Sequence, residues 1–180
     1  MPTMRTGLTA VAVAALFVGA TTAVAAQPDA ATAAPTRPTA GVGHLHAQVD
    51  LPAGGAWTST PLEVTLPGPG TYELNADVRG RLSGVPPINT FITARLWNVT
   101  SGTAVPESER LVNQIIDVNA GNKETGGNQT APISELIRVK KSTKIRLQAQ
   151  RIDATGAATV SQIYSDIRGY TSLRFERIGN

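Results

Sequence analysis

The chain has 180 residues, a formal charge of only +3 and no cysteine. Disulfide frameworks, thiolate metal sites and cysteine nucleophiles are thereby excluded, and so small a charge excess is not the broad basic footprint of a nucleic-acid binder. Two histidines and an aromatic content of 4% leave little material for general-base chemistry or for an aromatic core.

In chain order, the first element is a targeting segment. "MPTMR" supplies one arginine, "GLTAVAVAALFVGATTAVA" is an uncharged apolar run, and Ala23-Val24-Ala25 offers small residues for a signal peptidase. Residues 1–25 therefore read as a signal peptide. A retained membrane anchor is the competing reading, but the run is Ala/Thr-rich and lacks a basic stop. Export to the extracellular space is expected, with no membrane attachment after cleavage. The absence of cysteine points to a bacterial exporter. Residues 26–42, rich in Ala, Pro and Thr without apolar periodicity, are expected to form a disordered linker. A single domain over residues 43–180 remains, long enough to close one core without staples.

Period-two alternation then recurs to the last residues. "HLHAQVDL" would place Leu45, Ala47, Val49 and Leu51 on one strand face. Leu62, Val64 and Leu66 alternate with Glu63 and Thr65. After the corner "PGPG", Tyr72, Leu74, Ala76 and Val78 alternate with Glu73, Asn75, Asp77 and Arg79. The prolines fix φ and cannot donate to a ladder, while the glycines permit a sharp turn, so this stretch is a corner between strands. Further strands are "NTFITARLWN", "RLVNQIIDV", "ISELIRV", "KIRLQAQRI", "TVSQIYS" and "TSLRFERI". Eight or nine short strands separated by turn signals predict an all-β, antiparallel two-sheet sandwich of jelly-roll type.

Within the strand "NTFITARLWN", Ile92, Ala94 and Leu96 face the core, while Phe91 and Trp97 fall on the opposite side. A single sheet should meet water there, so these two rings are candidates for an association surface. Ligand recognition is expected from the loops Gly84–Asn89 and Asn119–Ala131. Their candidate residues are Pro86, Pro87 and Asn89 in the first, and Asn119, Asn122, Lys123, Glu124 and Asn128 in the second. The basic stretch "RVKKSTKIR", Arg138 to Arg146, lacks aromatic partners and reads as a solvated turn whose lysines guard a sheet edge.

The pieces "PLEVTLPGPGTYELNADVRG", "FITARLWNVTSGTAVPESERLV" and "GYTSLRFERIG", taken in order, resemble the C1q/TNF-like jelly roll of secreted bacterial and phage structural proteins. The resemblance implies a ten-strand sandwich whose last strand lies inside a sheet. It also implies assembly as a trimer, binding through outer loops, and no catalysis. "LRFERI" departs from it, placing charges where the family often carries small or aromatic residues.

Reactive constellations are scarce. His44 and His46 could lie on one strand face as two metal ligands, but a third ligand has no obvious source and two solvent-facing histidines is the simpler reading. No G-x-S-x-G elbow accompanies them. Glu73 and Asp77 share outward parity, as on any wet sheet face. "DVNAGNKETGGN" fails as an EF-hand, since Gly121 and Asn128 occupy ligand positions. A looser calcium site from Asp117, Asn119 and Glu124 is the only cofactor option, and none is expected. The expectation is a secreted, non-enzymatic, homo-oligomeric module that presents loops to a glycan or cell-surface ligand, without nucleic acid. The alternatives are a carbohydrate-binding module stacking sugars on Trp57, Trp97, Tyr72, Tyr164 or Tyr170, a glycoside-active enzyme, and a proteinase inhibitor presenting "SGVPPIN".

Overall fold

The computed structural model describes residues 39–180; the expected signal peptide and most of the expected linker lie outside them. Eleven antiparallel strands follow one another: β1 (Ala40–His44), β2 (Val49–Asp50), β3 (Thr58–Leu66), β4 (Gly70–Gly84), β5 (Ile88–Asn98), β6 (Thr103–Ala104), β7 (Arg110–Asp117), β8 (Thr125–Val139), β9 (Thr143–Thr155), β10 (Ala158–Ile163) and β11 (Ser172–Gly179).

These strands form two sheets. In the first, β4 is paired along its whole length by β8 on one edge. On its other edge it meets β11 and then β10, placed end to end. Outside these lie β1 on β11 and β2 on β10. In the second sheet the order is β3, β9, β5, with β7 and β6 on the far edge of β5. Collapsing the end-to-end pairs into ranks counted along the chain gives sheet orders 1-8-3-6 and 2-7-4-5, the jelly-roll arrangement. The last described strand lies inside a sheet, between β1 and β4.

The alternation explains the sandwich. Leu62, Val64 and Leu66 of β3, Leu74, Ala76 and Val78 of β4, Ile92, Ala94 and Leu96 of β5, and Ile145, Leu147 and Ala149 of β9 are all buried between the sheets. Each buried Leu, Ile or Val contributes about 1.5–3 kcal/mol of apolar burial. Among the described residues two rings join this aliphatic core, Tyr72 and Phe175, edge to face with centroids 5.9 Å apart. The Tyr72 hydroxyl donates to the Gly68 carbonyl at 3.0 Å and so pins the "PGPG" corner. This corner carries the chain from the second sheet to the first. At Gly70, with φ +149°, a Cβ would meet the Gly179 carbonyl at 2.8 Å, so the turn requires glycine.

Four expectations need correction. The first strand begins at Ala40, inside the stretch read as linker. "HLHAQVDL" is two strands: β1 is bound to β11 and β2 to β10, so the chain must step between them, and Ala47 is exposed in that step. Asn128 lies in β8, opposite Arg81, and accepts from Arg81 Nε at 3.2 Å, so the second candidate loop is shorter than its composition suggested. Gly84 and Asn89 are strand residues, and only Val85, Pro86 and Pro87 connect β4 to β5 across the sheets.

Candidate functional site

The second sheet turns one broad face to the outside. Along β5 this face carries Asn89, Phe91, Thr93, Arg95 and Trp97, flanked by Gln148, Gln150 and Ile152 of β9 and by Leu111, Gln114 and Ile116 of β7. Phe91 and Trp97 therefore share a face, as their parity predicted, and both are half-buried. Their surroundings differ. Phe91 sits between Ile152 and Gln114, close to the two most exposed apolar side chains of the face, Leu111 at 53% and Ile116 at 62%. Trp97 instead stacks on a cation. The Arg95 guanidinium lies 3.9 Å from the Trp57 ring centroid and 4.8 Å from that of Trp97. Arg95 Nε also donates to Gln148 Oε1 at 3.0 Å, and Gln148 passes the chain on to Ser59. Burial lowers the Arg95 pKa from its ordinary value, with Glu109 opposing the shift. Trp57 precedes β3, and nothing in the alternation around residue 95 announced it.

Besides the Arg95–Gln148 bond, the side-chain links between β5 and its neighbours on this face join neutral groups. Gln150 donates to Thr93 at 3.0 Å, and Gln114 donates to Asn89 at 3.1 Å. The charged cluster of Glu63 with Arg146 (2.8 Å) and Lys144 (3.6 Å) stands at the β3 side. The middle and the β7 side form an apolar, amide-lined surface.

The two recognition segments converge at one end of the sandwich. Gly84 pairs with Thr125, Ile88 with Asp117 and Asn89 with Thr155, so the β4–β5, β7–β8 and β9–β10 connections are neighbours. Val85 and Val118 are exposed there, at 55% and 78%. Asn119, Asn122, Lys123 and Glu124 belong to the exposed β7–β8 loop, whereas Pro86 is buried and Pro87 exposed. Asp117 organises the loop by accepting from the Asn119 backbone N–H at 2.9 Å and from Asn122 Nδ2 at 2.7 Å. Its two carboxylate oxygens are thus each engaged by a donor within the loop. The "SGVPPIN" segment does not project as a free arm, since its ends are held in β4 and β5.

Elsewhere, His44 and His46 are exposed and lie with Tyr170 in a ring cluster, at centroid distances of 5.6 Å and 6.1 Å from it. No group of three potential metal-ligating side chains occurs among the described residues. Glu73 accepts from Asn75 Nδ2, and Asp77 pairs loosely with Arg174 at 3.6 Å. Tyr72 and Tyr164 are buried, the latter lying against the guanidinium groups of Arg79 and Arg81 at 4.5 Å and 4.3 Å. With Trp57 and Trp97 occupied by Arg95, Tyr170 is the one exposed ring of the five named as sugar platforms.

The strand order makes this chain a jelly-roll β-sandwich. No family model and no curated protein matches it. Among solved structures it is similar to that of infectious bursal disease virus, Gt strain, with 16% identity and a TM-score of 0.40, covering 78% of this chain and 36% of that one. The Gx strain gives 16% and 0.40, covering 81% and 42%. A mutant VP2 protein of the same virus in derived particles gives 14% and 0.40, covering 80% and 41%. The chain spans under half the length of each. At a TM-score of 0.40, the assignment of class rests on the chain's own topology.

Proposed function

We propose that this protein is an exported, non-catalytic β-sandwich module that self-associates through the outer face of the second sheet and displays the loop cluster at one end. The observation that carries it is the apolar surface around Phe91, where Leu111 and Ile116 stand more than half exposed beside the amides of Asn89, Gln114 and Gln150. Apolar side chains grouped in this way favour burial in an interface. A second copy is the partner the chemistry fits. Amides both donate and accept, so a neutral amide-lined face is complementary to itself, whereas a charged face would repel its own copy. An isologous contact of this kind closes a two-fold dimer, where the C1q/TNF-like resemblance implies a trimer. Either assembly would gather copies of the 85–87 and 118–124 loops toward a glycan or cell-surface ligand, adding avidity.

Light scattering and sedimentation of the exported form provide the test. The assembly should dissociate in a Leu111→Asp/Ile116→Asp double variant that retains native tryptophan fluorescence. A wild-type monomer at high micromolar concentration ends the reading.

A further inference from the structure

At the end of the sandwich away from the 85–87 and 118–124 loops, the β8–β9 crossover runs beside the β5–β6 turn. A cavity of about 470 Å³ lies between them, lined on one side by Arg138, Lys140 and Lys141 and on the other by Asn98 and Thr100. Sequence alone reads the basic run as a solvated turn. The turn is there, but its cations border a concavity that a second, polar turn completes.

Three features single out this cleft. First, its walls are tied together. The Val99 N–H donates to the Lys144 carbonyl at 2.9 Å, the Lys144 N–H donates to Thr100 Oγ1 at 3.0 Å, and Ser142 Oγ donates to the Leu66 carbonyl at 3.1 Å. Second, those bonds set the polarity of the neutral groups. Thr100 Oγ1 already accepts, so its proton is left to donate outward. Asn98 Oδ1 accepts from the Ser101 N–H at 3.1 Å, which leaves its Nδ2 hydrogens as donors. Third, no carboxylate lines the cleft. Among the described residues, Glu63 is engaged by Lys144 and Arg146, and no ion pair involves Arg138, Lys140 or Lys141.

We infer that this cleft is a binding site for a tetrahedral oxyanion, a sulfate or phosphate monoester carried on a larger ligand. Arg138 offers a planar fork to two of its oxygens, Lys140 and Lys141 supply mobile point charges, and Asn98 and Thr100 supply neutral donors. The site lies apart from the association face and does not depend on self-assembly.

The test is an amide-shift titration of the exported protein with inorganic sulfate, inorganic phosphate, a sulfated disaccharide and a sugar phosphate. Saturable shifts are expected at amides 98–101 and 138–143. A Lys140→Gln/Lys141→Gln variant should bind about tenfold more weakly, as should the wild type when salt is raised from about 50 to about 200 mM. Arg138→Lys should lose part of the affinity, since it keeps the charge but not the fork. The preferred ester identifies the source: tighter sulfated disaccharide indicates a sulfated glycan, and tighter sugar phosphate a phosphorylated one. Shifts that fail to saturate, that spread evenly over other surface lysines, or that survive in a double variant with an unchanged melting curve overturn the site.

Discussion

The side-chain amide of Asn113, in β7 of one sheet, donates to the carbonyl of Gly80, in β4 of the other, at 3.0 Å. It donates a second time to the Gly127 carbonyl of β8 at 2.9 Å. Asn113 is almost wholly buried, and its amide latches β7 to both β4 and β8 of the other sheet. Gly80 is part of the same device, because a Cβ there would meet Val112 Cγ1 at 2.9 Å and Asn113 Cβ at 3.2 Å. Gly80→Ala should cost about 1–3 kcal/mol by overpacking. Asn113→Ala should cost about as much by removing two hydrogen bonds, one of them to the buried Gly80 carbonyl. Urea unfolding of both variants measures this, and losses below experimental error in each would remove the latch.

A second polar group sits inside the sandwich. Arg151 faces inward and pairs with Asp153 at 3.0 Å, and Asp153 also accepts from Thr90 Oγ1 at 2.8 Å. Both side chains are at least 85% buried. Asp153→Ala would leave the Arg151 cation without its counter-charge, and a loss of about 3–5 kcal/mol is expected. Substituting both residues by apolar ones of similar size should recover much of that loss. Denaturant midpoints for the single and double variants decide it.

Arg95 lies against both tryptophans of the chain, which makes intrinsic fluorescence a local probe of one cluster. In Arg95→Ala the emission should move to longer wavelength as the indoles gain water, with a stability loss of about 0.5–2 kcal/mol from the lost cation–π contacts. An unchanged spectrum would show that the stack does not persist in solution.

The β10–β11 connection is held down by Asp166, which accepts from Arg79 Nη1 at 2.8 Å and from the Arg168 N–H at 2.9 Å. The Arg79 hydrogen bond, followed by that from Arg168, holds the Asp166 pKa below its ordinary value. A depressed folded-state pKa stabilises the fold above the unfolded carboxylate value of about 4, and that stability is lost as pH falls through the folded value. Wild-type stability should therefore fall below about pH 4 more steeply than that of Asp166→Asn. Parallel acid limbs in the two denaturation profiles would contradict this.

How far the fold was legible depended on whether apolar alternation was uninterrupted. Around β3, β4, β5 and β9 the inward residues could be named in advance, because one face of each strand meets the core and the other meets polar groups. The break after His44 could not be seen, since Leu45 and Leu51 are buried at either end of it and the parity continues across. "TGGNQT" misled for a different reason. Gly126 looks like a turn signal, yet it is in β8, where a Cβ would stand 2.6 Å from the Leu82 carbonyl. Composition does not distinguish a glycine required by crowding from one required by a turn. Parity assigned Phe91 and Trp97 to their face, but the stacking of Trp97 depends on Arg95 and on a Trp57 brought from the segment before β3. The basic cleft likewise needs two turns separated by about forty residues, which only the crossing of the sheets brings together.

The pairing of β4 with β11 has a consequence for how the polypeptide reaches this state. On the edge away from β8, the Thr71–Asp77 part of β4 acquires its neighbour from Ser172–Gly179, with most of the domain lying between them in sequence. Until that late segment is available, the Thr71–Asp77 stretch of that β4 edge is vacant, and closure over such a distance is slow. A chain shortened before Ser172 would expose a long ladder to passing strands and should clump rather than fold. Under the export proposed above, the same delay would keep the polypeptide pliable until nearly all of it has crossed.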